Sequence, residues 1–317
     1  MKLFNAPEPR VPGLPVWVVT FVGACIGIPT STAFAQTPPK HLNPVIEKLA
    51  AGKPFIGFQT GDLSLEMART MARSDIDYVY LEMEHGPMDF QGLHHFAVGM
   101  IDKEAIVKKG NAQPNVALFA RFPPAGRDGS GWVVKQALDL GLMGVIFNDV
   151  DNADQATRAV QSMRYPQMRT SKYPNPLGMR GHAPGYALWV WGVSAEEYER
   201  RADVWPLNPD GDLMAIMMIE SAEGLKNVDA IAATPGVGAL FLGQGSDLSH
   251  FLGVPQNSPE VEQAFQTILK ACLAHNTPCG ITATNSDTIA KRLREGWKMI
   301  RTTPDALSQW RATQPRR

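Results

Sequence analysis

The sequence has few cysteines and almost no net charge, and each shortage excludes a class of protein. Only three cysteines occur among 317 residues, and no C-x-x-C or Cys/His cluster indicates a zinc site. The 30 basic and 31 acidic residues give a formal charge of −1, so no basic surplus indicates a nucleic-acid partner. No G-x-G-x-x-G follows the first candidate strand and no G-x-x-x-x-G-K-[ST] occurs, so nucleotide binding has no support.

The first 35 residues have the pattern of an export signal. A weakly basic start precedes an apolar stretch, and residues 33–35 (AFA) form an A-x-A cleavage signal. An uncleaved membrane anchor is the alternative, but the apolar stretch is short and contains Pro29. We therefore expect residues 1–35 to be a cleaved signal peptide, and the mature protein to be periplasmic or secreted, with no membrane attachment after cleavage.

Cleavage would remove Cys25 and leave Cys272 and Cys279. An exported protein could oxidise this pair. Cys272 lies in a helical pattern, however, and Cys279 begins an apolar segment. We therefore expect two reduced, partly buried thiols.

After a predicted linker at residues 36–44, short apolar runs alternate with amphipathic helical patterns. The eight runs are 55–59, 77–83, 116–121, 144–148, 213–220, 239–243, 279–283 and 298–302. Near-continuous apolar strands that alternate with helices indicate a parallel sheet buried on both faces. We predict that residues 45–317 form one α/β domain, a closed (β/α)₈ TIM barrel, rather than an open doubly wound sheet.

A long segment at residues 165–212 interrupts this alternation after the fourth strand. Segments of that length in compact domains are usually lids or interface elements. Its aromatic residues allow two interpretations, packing between subunits or an aromatic wall for a bulky substrate. They are Tyr186, Trp189, Trp191, Tyr198 and Trp205.

Polar residues follow the ends of six candidate strands. In chain order they are Gln59; Glu82, Glu84 and His85; Arg121; Asn148 and Asp149; Glu220; and Gln244, Ser246 and Asp247. A single residue of this kind is more often an ordinary strand-end polar group than a catalyst. A parallel barrel, however, brings the C-terminal ends of all its strands to one mouth, where chemistry takes place.

Glu220 and Asp247 are the candidate metal ligands among these residues. They are 27 positions apart, about one βα unit, which predicts adjacent strand ends. Two carboxylates, completed by water and substrate oxygens, suit Mg²⁺ or Mn²⁺. Arg121 could hold a substrate carboxylate or oxyanion, and His85 could move a proton.

Six motifs together resemble the HpcH/HpaI aldolase family, the metal-dependent class II pyruvate aldolases of the phosphoenolpyruvate/pyruvate barrel superfamily. They are YLEMEHGPMD, LFARFPP, QALDLGLMGVIFNDVDNADQATRAVQSMRYP, LGMRG, MMIESAEGLKNVDAIAATPGVGALFLG and SDLSHFLGVP. These motifs agree with the family in order and spacing, and they cover roughly residues 45 to 305.

The resemblance implies a role for each matching residue. Glu220 and Asp247 would ligate a divalent metal, Mg²⁺, Mn²⁺ or Co²⁺. Arg121 would hold the keto oxygen of pyruvate and stabilise its enolate. His85 would take part in proton transfer at the aldol hydroxyl, with Asp139 as its acidic partner. The family resemblance also implies a homo-oligomer, a hexamer or a trimer.

Several positions depart from the family pattern. Glu82 stands where the family usually has Asp and would support His85, while Glu84 could orient metal-bound water or cap the turn. The remaining departures lie at expected substrate-binding positions. They are the carboxylate loop with Gln244, Gly245 and Ser246, Gln59 in place of Trp, and Asn148 in place of Pro.

The function that the resemblance implies is a metal-dependent carbon–carbon lyase. Retro-aldol cleavage of a 4-hydroxy-2-oxoacid, or of a related β-hydroxy compound, would release an aldehyde and pyruvate. One alternative is an exported lyase that releases an aldehyde such as formaldehyde from a bulky aromatic substrate. Another is a non-catalytic exported barrel that binds a carboxylate.

Overall fold

Buried parallel strands alternate with helices along the chain. A computed structural model describes residues 39–123 and 131–314, and the predicted signal peptide lies outside these ranges. The strands are β1 (Phe55–Thr60), β2 (Tyr78–Glu82), β3 (Ala117–Arg121), β4 (Gly144–Phe147), β5 (Val204–Trp205), β6 (Leu213–Met218), β7 (Val237–Leu242), β8 (Cys279–Thr282) and β9 (Met299–Arg301).

Eight of these strands close into a barrel, which confirms the predicted (β/α)₈ fold. Neighbours in the sheet follow the order β4-β3-β2-β1-β9-β8-β7-β6, and β4 pairs in parallel with β6 to complete the ring. The two-residue β5 pairs with the first residues of β6. Because helices cover the outside and side chains fill the inside, both faces of the sheet are buried, which explains the near-continuous apolar runs.

Most of the helices begin after a residue whose side chain accepts a backbone N–H group. The helices are α1 (Pro44–Ala50), α2 (Leu65–Ala72), α3 (Phe90–Gly99), α4 (Lys103–Lys109), α5 (Gly131–Asp139), α6 (Ala153–Met163), α7 (Gly185–Trp191), α8 (Ala195–Arg201), α9 (Ala222–Lys226), α10 (Val228–Ala232), α11 (Ser246–Leu252), α12 (Pro259–His275), α13 (Ser286–Glu295) and α14 (Pro304–Ala312). Side chains such as Ser64, Asn152 and Ser258 supply the N-caps, so the βα loops both end strands and start helices. No helix in the described ranges is long and apolar enough to cross a membrane.

Alternate residues of β2 point into the barrel. Tyr80 packs edge-on against Phe241 of β7, with ring centroids 6.3 Å apart, although β2 and β7 are not neighbours in the ring. A side chain at Gly57 would place its Cβ 2.1 Å from the carbonyl oxygen of Tyr78, so only glycine fits there. Since side chains alternate along a strand, Glu82 shares the inner face with Tyr80 and lies at the mouth.

The end of the predicted linker is part of the barrel rather than a connection to it. His41 and Asn43 are buried, and the His41 ring lies 3.1 Å from the Asp212 carboxylate. Asn43 also caps α1 and donates its amide to the carbonyl oxygen of Asp212. The apolar periodicity that defined residue 45 as the domain start could not reveal these polar contacts.

Cys272 and Cys279 form a disulfide, so the expectation of two reduced thiols was wrong. α12 ends at His275, and the chain then turns back directly into β8. This short return brings the two Cα atoms to 5.8 Å, within the range that a disulfide spans. Assigning one cysteine to a helix and the other to a strand concealed that they face each other across a turn.

The segment between β4 and β6 contains α6, α7, α8 and β5. Arg164 anchors it, because its fully buried guanidinium donates to the Asp203 carboxylate at 2.6 and 3.0 Å. Trp191 and Tyr198 pack together inside the segment, with ring centroids 4.9 Å apart. These two aromatics are therefore internal core, whereas Tyr186 and Trp189 are exposed.

Candidate active site

A buried arginine, Arg121, lies at the centre of the barrel mouth. It ends β3, and its Nε donates to Glu82 Oε2 at 2.8 Å, while Nη2 contacts the same oxygen. Nη1 lies 2.8 Å from Glu84 Oε2. Two carboxylates from the end of β2 therefore fix the guanidinium in one orientation, which is the preorganisation needed to bind an oxyanion.

Glu82 also shapes the turn that carries His85. Its second oxygen accepts the backbone N–H groups of Glu84 and His85 at 2.9 and 3.3 Å. One carboxylate thus connects the strand end, Arg121 and the following turn. Glu82 therefore lies below His85 and holds the backbone of its turn, rather than pointing into solvent.

Gln59 connects Glu82 to two residues that sequence analysis did not select. Its amide nitrogen donates to Glu82 Oε2 at 2.9 Å. Its amide oxygen accepts from the Tyr80 hydroxyl at 2.8 Å and from Arg301 Nη2 at 2.6 Å. Tyr80 and Arg301 were assigned only to strands. Their position on the inner face, at or near a strand end, was the signal available.

His85 stands at the edge of an open cavity. Its side chain is 69% exposed, and Nε2 lies 3.3 Å from Glu84 Oε2. The cavity has a volume of about 370 Å³ and is lined by Gly61, Leu63, Glu82, His85, Gly86, Pro87 and Asp89. This volume suits a small ligand, and the histidine is placed to exchange protons with it.

Glu220 lies among several other carboxylates. Burial raises the pKa of Glu220 to about 8, and the negative charges of Glu84, Asp247 and Asp149 add to the shift, while Arg121 opposes it. Burial likewise raises the pKa of Glu84, with Arg121 opposing the rise. These mutual effects show that the acids from β2, β4, β6 and β7 face one another, as the predicted convergence requires.

This donor set fits a divalent cation. Glu220 and Asp247 repel each other when both are ionised, and a cation between such carboxylates would remove that cost. Asn148 is fully buried, and its Oδ1 accepts no hydrogen bond, although its Nδ2 donates to the carbonyl oxygen of Phe122. Within the described residues, no group of three or more His, Cys, Asp or Glu side chains is arranged to hold a metal. A divalent ion here would be held by Glu220 and Asp247, with water and substrate oxygens completing the ligand set.

Asp149 has an unusual backbone conformation next to this site. Its φ of 49° lies in the left-handed region, which few residues other than glycine adopt. Such conformations cost free energy and concentrate at functional sites. The residue follows Asn148 at the end of β4, and its charge raises the pKa of both Glu84 and Glu220. It belongs to the acidic cluster; the sequence placed both residues at this strand end, but only Asn148 was assigned a binding role.

The loop after β7 leads directly into Asp247. Gly245 has a φ of 76°, and a Cβ there would lie 2.7 Å from the Phe265 ring. Both the backbone conformation and the lack of space therefore require glycine. Ser246 and Asp247 begin α11, with Ser246 Oγ 3.4 Å from Asp247 Oδ2. The carbonyl of Gln244 accepts from Gln256 at 2.8 Å. The loop is thus held in shape by groups outside the mouth.

The structure does not bring Asp139 to His85. Asp139 ends α5 and receives the buried Arg180 at 2.8 Å, with Lys135 on its other oxygen. The carboxylate beside His85 is that of Glu84. Within the described residues of one chain, Asp139 and His85 therefore have separate partners, and their pairing stays a prediction.

The fold and site together define a TIM-barrel protein with an arginine, a histidine and an acidic cluster at its mouth. The chain belongs to the HpcH/HpaI aldolase/citrate lyase family, whose sequence pattern matches residues 62–309. This confirms the resemblance found from the motifs. The family is generally dependent on a divalent metal.

Individual relatives support the same class. The chain is 31% identical over 244 residues to the 2-dehydro-3,6-dideoxy-6-sulfogluconate aldolase of Pseudomonas putida, covering 76% of this chain and 83% of the relative. It is 30% identical over 237 residues to the 5-keto-4-deoxy-D-glucarate aldolase of Salmonella paratyphi A, covering 74% and 80%. At the family level the protein is a carbon–carbon lyase.

A solved structure shares the fold. The chain matches an HpcH/HpaI aldolase/citrate lyase family protein from Burkholderia cenocepacia with a TM-score of 0.67 and 26% identity, over 86% of this chain and 96% of the other. Macrophomate synthase matches with a TM-score of 0.61 at 22% identity, over 88% and 89%, which shows the fold alone.

Proposed function

We propose that the mature protein is a metal-dependent aldehyde-lyase that cleaves a 4-hydroxy-2-oxoacid, or a related β-hydroxy substrate, to an aldehyde and pyruvate. The observation that carries this proposal is the fixed guanidinium of Arg121 facing the acidic cluster around Glu220. A cation paired with an arginine is an arrangement that stabilises a developing enolate oxygen.

Glu220 and Asp247 would hold the Mg²⁺, Mn²⁺ or Co²⁺ ion. When bound, the ion supplies Lewis-acid stabilisation of negative charge on the substrate's 2-oxo oxygen. Arg121 supplies a second positive charge at the same oxygen. Because Glu82 and Glu84 already orient its guanidinium, little reorganisation is needed as charge develops.

His85 would move the proton in the cleavage step. It accepts the proton of the C4 hydroxyl, the C3–C4 bond breaks, and the electron pair of that bond becomes the enolate of pyruvate. The C4–O bond becomes the aldehyde carbonyl. A proton returned to C3 then completes pyruvate, so atoms and charge balance. The position of His85 at the cavity edge, beside Glu84, supports this role.

The small keto-acid substrate is favoured over a bulky aromatic one. The two curated relatives described above have names that specify keto-deoxy sugar acids. Trp191 and Tyr198, which could have formed an aromatic wall, instead pack inside the segment between β4 and β6. This leaves the small 4-hydroxy-2-oxoacid as the better supported class.

Export and self-association belong to the same proposal. The disulfide between Cys272 and Cys279 supports a periplasmic or secreted location, because such bonds persist in oxidising compartments. Exposed apolar side chains, among them Trp132, Met179 and Trp189, support a homo-oligomer, a hexamer or a trimer.

The proposal is tested with mature protein, residues 36–317, stripped of metal and resupplied with Mg²⁺, Mn²⁺ or Co²⁺. Pyruvate and aldehyde release from a panel of 4-hydroxy-2-oxoacids is followed by enzyme-coupled absorbance and mass detection. We expect Glu220→Ala to lower turnover about 10³-fold or more. Glu223→Ala, which removes an exposed carboxylate nearby in sequence, should leave turnover unchanged.

Two outcomes would contradict the proposal. Absence of pyruvate from every substrate with every metal would exclude the lyase. Tight binding of pyruvate without turnover, weakened but not abolished in Glu220→Ala, would instead identify a non-catalytic carboxylate-binding barrel.

A further inference from the structure

A cavity lies between α5, α6 and the loop at residues 179–181, next to the end of β4. Its volume is about 270 Å³, and within the described ranges it shares no lining residue with the cavity beside His85. Basic and large apolar side chains line it, and none of the described residues in its wall is acidic. The basic ones are Lys135, Arg158 and Arg180, and the large apolar ones are Trp132, Phe147 and Met179.

Arg180 is the buried group of this cavity, and part of its guanidinium has no partner. Its side chain is fully buried, and Nη2 donates to Asp139 Oδ1 at 2.8 Å and to the Tyr198 hydroxyl at 2.9 Å. Nε and Nη1 are also buried, and neither donates a hydrogen bond within the described protein. An arginine has five N–H donors, so three of them remain free. Buried donors without an acceptor are costly, and a ligand that accepts from them removes that cost.

The surrounding structure fixes the orientation of this guanidinium. Its Cζ lies 4.4 Å from the centre of the Tyr165 ring and 5.8 Å from that of the Tyr198 ring. The backbone N–H of Arg180 donates to the carbonyl oxygen of Arg164 at 2.9 Å. The free N–H groups are therefore held in place before a ligand binds, which lowers the entropy cost of binding.

Positive charge exceeds negative charge around the cavity. Asp139 accepts from Arg180 through one oxygen and from Lys135 through the other, so one carboxylate serves two cations. Arg158 is exposed, and no carboxylate in the described part of the chain forms an ion pair with it. Three cations thus share a single carboxylate, which favours an anionic ligand.

The apolar part of the wall decides which kind of anion fits. Trp132 and Met179 line the cavity although they are 61% and 70% exposed, and the buried Phe147 lies beside them. The volume is large enough for an aromatic ring or a short alkyl chain that carries a carboxylate. A small, strongly hydrated anion would leave the apolar surface uncovered.

We propose that this cavity is a second binding site, for a carboxylate with an aromatic or short apolar body. The carboxylate accepts hydrogen bonds from Arg180, and Arg158 and Lys135 add positive charge. The apolar body packs against Trp132 and Met179. The inference does not depend on the proposed lyase activity, which takes place at the mouth.

The test follows the fluorine NMR signal of 4-fluorobenzoate as mature protein, residues 36–317, is added. We expect saturable line broadening with a Kd below about 1 mM. Neutral 4-fluorobenzamide should bind at least about 10-fold more weakly, because it cannot form charge-assisted hydrogen bonds. Benzoate should displace the probe, whereas acetate and phosphate at the same concentration should not, because they have no apolar body.

Substitutions at exposed positions locate the bound probe without disturbing the core. Arg158→Gln and Trp132→Ala should each raise the Kd about 5- to 10-fold, through lost charge and lost ring contact. Arg169→Gln is the matched control, since it removes an exposed arginine that does not line the cavity. Neither this control nor Arg121→Lys at the mouth should change the Kd.

Arg180→Lys tests the buried group itself. Lysine keeps a positive charge near Asp139 but has no counterparts to Nε and Nη1, so the Kd should rise about 10-fold or more. Thermal unfolding shows whether this variant folds. If it does not, the exposed Arg158→Gln and Trp132→Ala variants decide the question.

Four results would overturn the inference. The first is no broadening by the wild-type protein, as for a cavity covered by a second copy or filled with water. The second is equal binding of the benzoate and the benzamide. The third is displacement by phosphate as effective as that by benzoate. The fourth is binding that survives Arg158→Gln and Trp132→Ala but is lost in Arg121→Lys, which would place the probe at the mouth. Because the readout is binding alone, a failed lyase assay leaves each of these results interpretable.

Discussion

Two of the protein's buried arginines have different surroundings, Arg121 at the mouth and Arg164 in the segment between β4 and β6. They differ in how completely neighbouring groups use their N–H donors and neutralise their charge. Arg164 donates to Asp203 through Nε and Nη2, and to the carbonyls of Pro176 and Tyr173 at 2.6 and 2.8 Å. Every side of its guanidinium is thus used inside the protein. Arg121 also has acidic partners, but the nearby Glu220 forms no ion pair with a cation in the described part of the chain.

This difference separates a structural ion pair, that of Arg164, from the one that we propose to be functional, that of Arg121. Burial and ion pairing alone do not identify a site, because Arg164 has both. The buried Glu220 beside Arg121 does, since a buried carboxylate with no ion-pair partner among the described residues is stable only when a cation or a proton completes it. The adjoining cavity and the exposed His85 add access to substrate.

Of the variants that compare the two arginines, Arg121→Lys should have the largest effect. Lysine keeps the charge but cannot bridge Glu82 and Glu84 while presenting a planar face to an oxyanion. We expect kcat to fall about 10³-fold, as for loss of a preorganised oxyanion donor. Steady-state kinetics of pyruvate release measure this, with Arg164→Lys as the matched variant. A comparable loss of kcat in folded Arg164→Lys protein would contradict the distinction between the two arginines.

Asp203→Asn should lower stability and leave turnover unchanged. It leaves the fully buried Arg164 without its carboxylate, and breaking a buried pair in this way costs about 3 kcal/mol of unfolding free energy. Turnover per folded molecule should remain unchanged, because Asp203 makes no hydrogen bond or ion pair with a mouth residue among the described residues. Urea denaturation measures the unfolding free energy, and kinetics normalised to active sites measure the turnover. Unchanged stability would show that this pair does not anchor the segment.

The acidic cluster should make the unfolding free energy depend on pH, and this effect should be of intermediate size. The pKa of Glu220 rises from 4.5 to about 8 on folding. The folded state therefore binds more protons, and the unfolding free energy of metal-free protein should fall between pH 4.5 and 8, on the order of 2 kcal/mol. Urea titrations at pH 5 and 8 measure this fall. Both the Glu220→Gln substitution and added Mn²⁺ should make the fall in unfolding free energy smaller. An identical fall in Glu220→Gln would show that other groups cause it.

Removal of the Cys272–Cys279 disulfide should have the smallest effect on activity, and a stability effect no larger than the pH effect. The bond closes a loop with a sequence separation of only 7, so the chain entropy it removes is small. We expect a loss of about 2 kcal/mol of unfolding free energy in the Cys272→Ala, Cys279→Ala double variant, and no change in kcat. Thermal unfolding with and without reductant checks this. A change in kcat would mean that the base of β8 affects the mouth.

Periodicity in the sequence predicted all eight barrel strands, because strands covered on both faces consist of almost uninterrupted apolar residues. It also predicted that the strand ends would converge, which the mutual charge effects of Glu84, Asp149 and Glu220 bear out. The disulfide, the Gln59–Arg301 contact and the neighbours of Asp139 could not be predicted in this way. Each depends on how a side chain crosses a turn or the barrel interior, which no pattern along the chain encodes.

The buried carboxylate of Asp212 limits how the protein can be shortened for recombinant production. His41, the backbone N–H of Asn43 and Arg201 all donate to it, and Arg201 also binds the carbonyl of Lys40. A truncated chain that begins after Asn43 would keep the predicted barrel but leave this carboxylate with only part of its donors. Affinity tags are therefore best joined upstream of residue 39 or at the C-terminus, and removal of the predicted signal peptide should leave Lys40, His41 and Asn43 in place.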